Sequence, residues 1–399
     1  MPSFHRSRNP RNAEPMEQAT QYGTHAATRK TVSVVKCARY EADAIRSALR
    51  RALDPLGGIE AFVKSGQRVL LKPNLLSAKD PERAITTHPS LVEAVAEEVR
   101  GAGAVPFIGD SPGGAIRGIK RVWANTGMEE MARRAGIELV NFEASGSKAI
   151  PFGKYTFYIS KPVLEADVII NLPKLKTHSL TLMTCAVKNM FGVVPGFRKG
   201  EQHKRYPKPR EFAEMLVHLY KLVTPSLNIV DAVLAMEGNG PSSGTPRMLG
   251  MLMAGEDAVA IDAVAARIIG FPEGFVDTTR IATEMGLGEG NIGKITVLGD
   301  AAEERVKGFE LPTNRAIKLV PRPLMKLVAP LVWVKPVIVS STCTGCGFCA
   351  ESCPVQTIRK EDAVCRIEDK RCIRCLCCHE LCPESSIEIK LSFLARFFA

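Results

Sequence analysis

A repeated cysteine pattern near the C-terminal end constrains the fold of this 399-residue chain more than any other feature. Ten of the 12 cysteines lie between Cys343 and Cys382. Two windows in this region superimpose at a constant offset of 29 residues, and each reads C-x2-C-x2-C-x3-C-P. The corresponding cysteines are Cys343, Cys346, Cys349 and Cys353 in the first window and Cys372, Cys375, Cys378 and Cys382 in the second. Such local crowding indicates metal ligation rather than scattered disulfides.

The spacing predicts two iron–sulfur clusters. Three thiolates spaced three residues apart can bind three irons of one cubane, so the fourth iron needs a ligand from elsewhere. The pattern is the bacterial two-cluster ferredoxin signature, in which the fourth cysteine of each run ligates the other cluster. We therefore expect two [4Fe–4S] clusters: cluster 1 held by Cys343, Cys346, Cys349 and Cys382, and cluster 2 held by Cys372, Cys375, Cys378 and Cys353.

Zinc is the alternative, because paired C-x2-C elements also form zinc ribbons. A tetrahedral zinc ion takes four ligands, which leaves the third cysteine of each run and the crossed fourth cysteine without a role. Of the remaining cysteines, Cys365 is predicted to be a buried residue of a hairpin, because the local alternation places it beside Ile367. Cys377 is predicted to be a non-ligand neighbour, with substitution as a ligand as the alternative, and Cys37 and Cys185 are predicted to be buried.

The preceding 300 or so residues alternate β-branched runs with helix-length segments, which is typical of an α/β domain with a large, mostly parallel sheet and helices on its faces. A small α+β ferredoxin-like two-cluster domain follows. The predicted strands are Thr31–Lys36, Val69–Lys72, Val105–Gly109, Glu138–Asn141, Val168–Asn171, Asn228–Val230, Met248–Ala254 and Lys294–Leu298, with Tyr155–Ile159 as an antiparallel insertion. The predicted helices include Glu41–Phe62, Ser90–Arg100 and Ile119–Ala135.

Composition divides the chain into five predicted segments. Residues 1–29 are polar and without hydrophobic periodicity, so we expect a disordered leader, and Met16 is an alternative start. The α/β domain spans 30–314, a proline-rich apolar linker spans 315–336, the two-cluster domain spans 337–390 and a tail spans 391–399. An interfacial membrane anchor is the alternative interpretation of the linker, although its prolines interrupt any long amphipathic face.

Charge and hydropathy exclude some classes of function. The chain has 53 Lys and Arg against 42 Asp and Glu, a net charge of +11, which suits anionic ligands or acidic partners. No apolar run approaches the roughly 20 residues of a membrane-spanning helix, and no secretory signal is present, so we expect a cytoplasmic protein. Aromatic residues make up only 6% of the chain, so nucleic-acid binding is disfavoured. The basic run Arg198–Arg210 is predicted to be a solvated or substrate-facing loop.

Polar residues follow several predicted strands, where ligands bind in parallel α/β sheets. If Pro173–His178 is extended, Lys174, Lys176 and His178 share one side, and a helix starting near Ser179 would bring Thr181, Thr184 and Lys188 together. A cationic pocket for carboxylate or phosphate is the resulting hypothesis. Its candidate ligand-binding residues are Lys72, Asn74, His88, Asp110, Lys174, Lys176, His178, Lys188, Asn189 and Asp262.

Asp262 interrupts a helix that is apolar on nearly every face, so its carboxylate must be paired or protonated. A salt bridge to a lysine in the core is the favoured interpretation, and a catalytic or metal-binding role is the alternative. Asp257 is predicted to be the N-cap of the same helix. Gly288–Gly293 matches G-x-G-x-x-G, but a strand follows it rather than a helix, so it is not a dinucleotide-binding fingerprint.

The sequence resembles the family called domain of unknown function 362, which is often joined to a ferredoxin module. The matching stretches are LLKPNLL with TTHP, IGDSPGG, NLPKLKTHSLTLMTCAVKNMFGVVPG, and IVDAVLAMEGNGPSSGTPR followed by AGEDAVAIDAVAARIIG. They occur in this order between Val69 and Gly270. The resemblance implies an iron–sulfur redox role but supplies no established reaction.

The leading hypothesis is an iron–sulfur redox protein, a possible oxidoreductase, in which two clusters relay electrons to or from an anionic small molecule at the strand ends. The alternative is a non-catalytic electron carrier or adaptor that docks a partner oxidoreductase. Both require an electron donor or acceptor protein. Peripheral membrane contact is the less favoured interpretation of the basic surface.

Overall fold

The computed structural model describes residues 30–113, 118–313 and 333–393. The predicted leader, residues 315–332 of the predicted linker and the tail from residue 394 lie outside the described residues. The interfacial-anchor alternative falls mostly on those residues as well.

A ten-stranded sheet organises the large domain. Its strands are β1 (Lys30–Lys36), β2 (Arg68–Pro73), β3 (Val105–Asp110), β4 (Glu138–Asn141), β7 (Val168–Leu172), β8 (Lys174–His178), β9 (Leu182–Thr184), β10 (Leu227–Glu237), β11 (Thr245–Gly255) and β12 (Ile295–Leu298). The order along the sheet is β12-β1-β11-β10-β7-β2-β3-β4, and β8 pairs with the far part of β10 and with β9. A separate antiparallel hairpin, β5 (Ser147–Phe152) with β6 (Tyr155–Ser160), is the predicted insertion.

Most neighbouring strands of the sheet are parallel, as predicted. The pairs β1–β12, β10–β7, β7–β2, β2–β3 and β3–β4 all run parallel, whereas β11 is antiparallel to both of its neighbours. The carboxyl ends of β2, β3 and β7 therefore meet at one edge. Strand β8 begins two residues after β7 ends, beside β10, and it extends this edge.

Helices cover both faces of the sheet. They are α1 (Ala42–Leu53), α2 (Pro89–Gly101), α3 (Ile119–Asn125), α4 (Met128–Ala135), α5 (Lys161–Glu165), α6 (Ala186–Asn189), α7 (Gly196–Arg205), α8 (Pro209–Leu222), α9 (Ala258–Ile269) and α10 (Asp277–Glu284). The side chains of β2 alternate between two cores, because Val69 and Leu71 join the cluster with α1 and α2, whereas Leu70 joins the cluster with α8 and α9.

Three predicted helices are wrong in their bounds. The helix predicted over Glu41–Phe62 ends at Leu53, because Gly57 and Gly58 adopt positive φ values of 88° and 74°. The segment predicted as one helix over 119–135 is two helices, because Gly127 adopts a positive φ of 72° between α3 and α4. The helix predicted to start near Ser179 is also wrong, since 182–184 form strand β9 and α6 begins only at Ala186. Thr181, Thr184 and Lys188 therefore do not share a helix face.

The small C-terminal domain is built from two antiparallel strand pairs and two short helices. Strand β13 (Val334–Ile338) pairs with β16 (Ile387–Leu391), and β14 (Ile358–Glu361) pairs with β15 (Val364–Ile367). Helices α11 (Phe348–Glu351) and α12 (Cys377–Leu381) follow the central cysteines of the two runs. Residues 334–336 of the predicted linker are therefore already part of a strand.

Candidate functional site

Glu380 of α12 is the main polar contact between the small domain and the α/β domain. Its Oε1 lies 3.1 Å from Nε2 of His178 at the end of β8. Nδ1 of His178 accepts hydrogen bonds from the backbone N–H groups of Leu180 and Thr181, so Nε2 carries the proton and faces the Glu380 carboxylate. Burial lowers the pKa of His178 to about 4, so this imidazole is neutral at pH 7. Glu380 thus contacts the α/β domain through His178. It does so again through its backbone carbonyl, which accepts from the hydroxyl of Ser242 at 2.6 Å.

A cavity of about 680 Å³, hereafter the boundary cavity, lies beside this contact. The α/β domain forms one side of its wall and the small domain forms the other. Its polar lining from the α/β domain includes Asn74, Asp110, Thr184, Lys188, Asn189, Arg198, Lys199 and His203, and its lining from the small domain includes Ser352, Cys353, Gln356, Cys377 and Glu380. The volume is that of a pocket for a metabolite-sized molecule.

Helix α7 supplies a cationic part of this wall. The predicted basic loop is wrong in structure, because its first half is this helix, and its lining residues face the cavity. Lys199 is buried and donates from Nζ to the carbonyl oxygens of Ser111 and Pro112, and burial lowers its pKa to about 8. His203 is only 5% exposed, stacks on Phe212 and leaves Nδ1 without a hydrogen-bond partner.

Lys188 of α6 is a second cation of the wall. Its pKa is lowered by burial, while the charges of Glu380 and Cys377 oppose that shift. Among the described residues it forms no hydrogen bond or ion pair within contact distance. Its ammonium group is therefore available to a ligand in the cavity.

A chain of buried asparagines orients the cavity wall at the ends of β2 and β7. Lys176 donates from Nζ to Oδ1 of Asn74 at 2.9 Å, and Asn74 donates to Oδ1 of Asn189 at 2.9 Å. Asn189 in turn donates to Oδ1 of Asn171 at 2.8 Å, and Asn171 donates to Asn228. Each amide is held in one orientation, because the lysine at the head of the chain can only donate. Lys176 itself is fully buried behind this wall.

Lys72 and Asp110 form a buried ion pair at the edge of the cavity, with Nζ and Oδ1 2.8 Å apart. Oδ2 of Asp110 also accepts from the backbone N–H of Leu75 at 2.7 Å. Gly192 passes so close that a Cβ at this position would lie 1.8 Å from Asp110 Oδ1. Asp110 reaches the cavity, whereas Lys72 lies behind it.

Lys174 and His88, by contrast, belong to a buried network away from the cavity lining. Nζ of Lys174 lies 2.9 Å from Oδ2 of Asp231 and 2.8 Å from the hydroxyl of Tyr40, which donates to Asp231. His88 caps α2 by accepting from the N–H of Ser90, stacks on Tyr40 at 3.7 Å, and donates its backbone N–H to Asp231. All polar contacts of Lys174 are made within the fold.

Asp262 has no lysine partner among the described residues, and it does not line the cavity. Its carboxylate accepts from the backbone N–H groups of Ala186 and Val187, at 2.6 Å and 3.2 Å, at the start of α6. Burial raises its pKa to about 7 in spite of these bonds. The favoured salt bridge is therefore wrong, and the carboxylate positions the helix that carries Lys188. Asp257 caps α9 as predicted, accepting from Val259 and Ala260.

Cys382 of the second run lies with the first three cysteines of the first run, and Cys353 lies near the first three cysteines of the second; their assignment as cluster ligands stays a prediction. Cys343, Cys346, Cys349 and Cys382 line one small cavity together with Cys365. Around Cys378, burial raises the pKa of the thiol well above its usual value. The neighbouring Cys375, Cys372, Cys349 and Cys353 raise this pKa further. Thiols crowded in this way can all ionise only beside a cation, as metal ligation provides.

Backbone N–H groups point at the sulfur atoms in both groups. Cys353 accepts from Thr357 at 3.4 Å, Cys372 from Arg374 at 3.4 Å, and Cys382 from Ser386 at 3.3 Å. Such hydrogen bonds tune the potentials of iron–sulfur clusters. Among the described residues no three His, Cys, Asp or Glu side chains gather around the position of a single metal ion. Four cysteines per cluster are the donor set that a [4Fe–4S] cubane takes.

Two further cysteines, Cys365 and Cys377, were predicted not to bind a cluster. Cys365 is buried in β15, as predicted, and its N–H donates to Sγ of Cys343 at 3.5 Å. Cys377 is buried, contacts Cys375 and lines the boundary cavity. Sequence reasoning missed Lys199, His203 and Ser352 as members of the wall. Only the basic run before Arg210 carried a signal for the first two.

Comparison with known proteins agrees with this architecture. The family described as Domain of unknown function (DUF362) matches residues 69–267, and the 4Fe-4S binding domain matches residues 336–359, which contain the first cysteine run. The Thylakoid-associated protein sll1697 of Synechocystis sp. is 42% identical over 261 residues, which cover 65% of this chain and 80% of that protein.

Among solved structures, the lactate racemase apoprotein from Thermoanaerobacterium thermosaccharolyticum is similar with a TM-score of 0.37 and 13% identity. The similarity covers 58% of this chain and 54% of that one. No helix in the described part of the chain is long and apolar enough to cross a bilayer. The α/β domain, the first cysteine run and the curated relative together place this chain in the DUF362 family, joined to a 4Fe-4S binding domain.

Proposed function

We propose that this protein is a two-cluster iron–sulfur redox protein that exchanges electrons with an anionic small molecule bound in the boundary cavity. The observation that carries the proposal is the shared wall of that cavity. Cys353, a ligand of cluster 2 in the crossed pattern, lines the same space as Lys188, Lys199 and His203. A molecule held by the cations would therefore lie next to a cluster ligand.

Each cluster, when bound, supplies one-electron transfer. The residues of this chain supply binding and orientation. Lys188 and Lys199 attract an anion into the cavity, and their partial burial makes each charge act more strongly than it would in solvent. The asparagine chain from Lys176 fixes the amides of Asn74 and Asn189, so the wall needs no reorganisation when a ligand enters.

Filling the cavity tests this proposal. Gly200 lies on α7 in the cavity wall, and a Cβ there would have Pro354 of the small domain as its nearest neighbour at 3.9 Å. We expect Gly200→Leu to occupy ligand space without disturbing the cysteines. Gly101, with open space around it, offers a matched control as Gly101→Leu.

The assay is reoxidation of the dithionite-reduced, anaerobically purified protein. The small-molecule fraction of a cell extract should reoxidise the wild type and Gly101→Leu, and Gly200→Leu should react at least several-fold more slowly. Ferricyanide should reoxidise all three equally. Equal rates for all three with the small-molecule fraction would contradict the proposal. Reoxidation by the protein fraction alone would instead identify an electron carrier or adaptor.

The place of action in this proposal is the cytoplasm, with a membrane surface as a second candidate. The name of the thylakoid-associated relative and the net charge of +11 favour the second candidate. Flotation with vesicles of phosphatidylglycerol and phosphatidylcholine separates the two. Salt-sensitive co-flotation only with the anionic vesicles would support surface association.

A further inference from the structure

Among the described residues, five buried polar atoms of residues that line the boundary cavity have no hydrogen-bond partner. Two are carboxylate oxygens, Oδ1 of Asp110 and Oε1 of Glu380, which lie within ion-pair distance of Lys72 and His178. The other three are Nδ1 of His203 and Oγ1 of Thr184 on the α/β side, and Oγ of Ser352 on the small-domain side. Burying such groups without a partner costs free energy, so each indicates a missing partner. A hydroxyl can donate, and so can Nδ1 of a neutral imidazole. A ligand with several acceptor oxygens would satisfy all three.

Lys188, which lines the same cavity, favours a negatively charged ligand. Glu380, the carboxylate that most affects Lys188, lies 3.1 Å from Nε2 of His178. The cation also experiences the charge of Cys377, and Cys377 contacts Cys375, a cluster 2 ligand in the crossed pattern. Lys188 and Cys377 line the same cavity, so a ligand bound by Lys188 would lie beside the thiols predicted to hold cluster 2.

We propose that Lys188 holds an oxyanion, a carboxylate or phosphoryl group of an organic ligand, against cluster 2, so that anion binding and reduction of this cluster oppose each other. This inference rests on the proposed function and adds redox-linked affinity to it. The oxyanion would also accept hydrogen bonds from Thr184, His203 and Ser352. Because Ser352 precedes Cys353, the ligand spans both domains beside a cluster ligand.

The linkage follows from charge. A cubane with four thiolates carries a charge of about −2, and one electron from a reductant makes it about −3. The added negative charge of the reduced cluster repels an anion that is bound by Lys188. For two unit charges about 10 Å apart in a medium of intermediate dielectric constant, the change in affinity is on the order of tenfold. By reciprocity, the bound anion makes cluster 2 harder to reduce by the same factor.

The first test needs no ligand. Lys188→Met removes the shared cation, and Lys208→Met removes an exposed lysine, paired with Glu211, as a matched control. Potentiometric titration followed by electron paramagnetic resonance on the full chain should show a lower potential for cluster 2 in Lys188→Met than in the control. Cluster 2 is identified by its loss in Cys372→Ser. An equal potential in the two lysine variants would refute the role of Lys188.

The second test measures binding of citrate and inorganic phosphate by calorimetry, to oxidised and to dithionite-reduced protein. At least one probe should bind the oxidised protein about tenfold more tightly than the reduced protein, and Lys188→Met should lose binding of that probe in both redox states. Equal affinity in both redox states refutes the linkage, and no binding of either probe at millimolar concentration refutes the oxyanion site. The reoxidation assay with Gly200→Leu is independent of both outcomes, so failure of this inference is distinguishable from failure of the proposed function.

Discussion

Two lysines of the α/β domain, Lys174 and Lys188, should respond in opposite ways to the same substitution. Lys174 is fully buried and paired with Asp231, which is also fully buried. Lys174→Met leaves that carboxylate without its cation. Breaking a buried pair by removing one partner costs about 3–5 kcal/mol. The hydroxyl of Tyr40 and the N–H of His88 still donate to Asp231, so we expect the lower end, about 3 kcal/mol.

For a domain of this size, about 3 kcal/mol corresponds to a fall in melting temperature of roughly 6–12 °C. Lys188→Met removes a partly buried cation that has no ion-pair partner among the described residues, so it leaves no orphaned carboxylate. We expect its melting temperature to stay within about 2 °C of the wild type or to rise, because the desolvation cost of the ammonium group disappears. Ligand binding should follow the reverse order and be lost only in Lys188→Met.

Calorimetric melting of the anaerobically purified, cluster-loaded proteins measures the first quantity, and citrate or phosphate binding measures the second. The double variant Lys174→Met/Asp231→Asn should lose less stability than the two single variants combined, because the two residues contact each other. If Lys174→Met left the melting temperature unchanged and abolished ligand binding, the assignment of Lys174 to a structural network would be refuted.

Three other changes have defined outcomes. Cys353→Ser should lower iron and acid-labile sulfide from about eight to about four per chain and spare the cluster 1 signal; complete loss of both would contradict two separable sites. Burial lowers the pKa of His88 to about 4, so as the pH falls this imidazole is protonated in the unfolded chain before it is protonated in the folded protein. The stability that the neutral imidazole contributes above pH 6.5 is therefore lost as the pH falls towards 4. His88→Asn keeps an N-cap and should weaken the decline in melting temperature between pH 7.5 and 5, whereas an unaltered slope would show that other groups dominate. Deletion of residues 1–28 should leave the melting temperature unchanged, and a drop of several degrees would show that they pack on the fold.

The sequence predicted the elements whose signal is local. Strands β1 to β4 and β7 were predicted within about two residues, because a strand buried between two helical layers must be apolar at consecutive positions. The cysteine spacing predicted the two groups of thiols, because covalent geometry limits which irons one short loop can reach. The N-cap at Asp257 was also predictable from local sequence, because the capping side chain and the N–H groups that it accepts from lie within three residues of each other.

The partners of the buried charges could not be read from the sequence. Lys174, Lys176 and His178 alternate along one strand, and nothing local distinguishes them. Their surroundings differ, because Lys174 meets Asp231 of β10, Lys176 meets Asn74 after β2, and His178 meets Glu380 of the other domain. These contacts join residues 57 to 202 positions apart in the chain. Only tertiary packing decides which lysine is satisfied within the fold and which remains available to a ligand.

The position of the cavity has the same origin. The sequence placed the cysteines and the polar strand ends in separate domains, and the structure joins them where α7, α11 and α12 meet at the carboxyl edge of the sheet. His203 and Ser352 belong to one wall although 149 positions separate them, because an interface depends on complementary shape and charge between surfaces, which no local pattern encodes. The sequence alone determined the composition of the metal-binding loops and the strands of the sheet. The tertiary structure decided that Cys353, a predicted cluster ligand, and Lys188, which has no ion-pair partner among the described residues, line the same space.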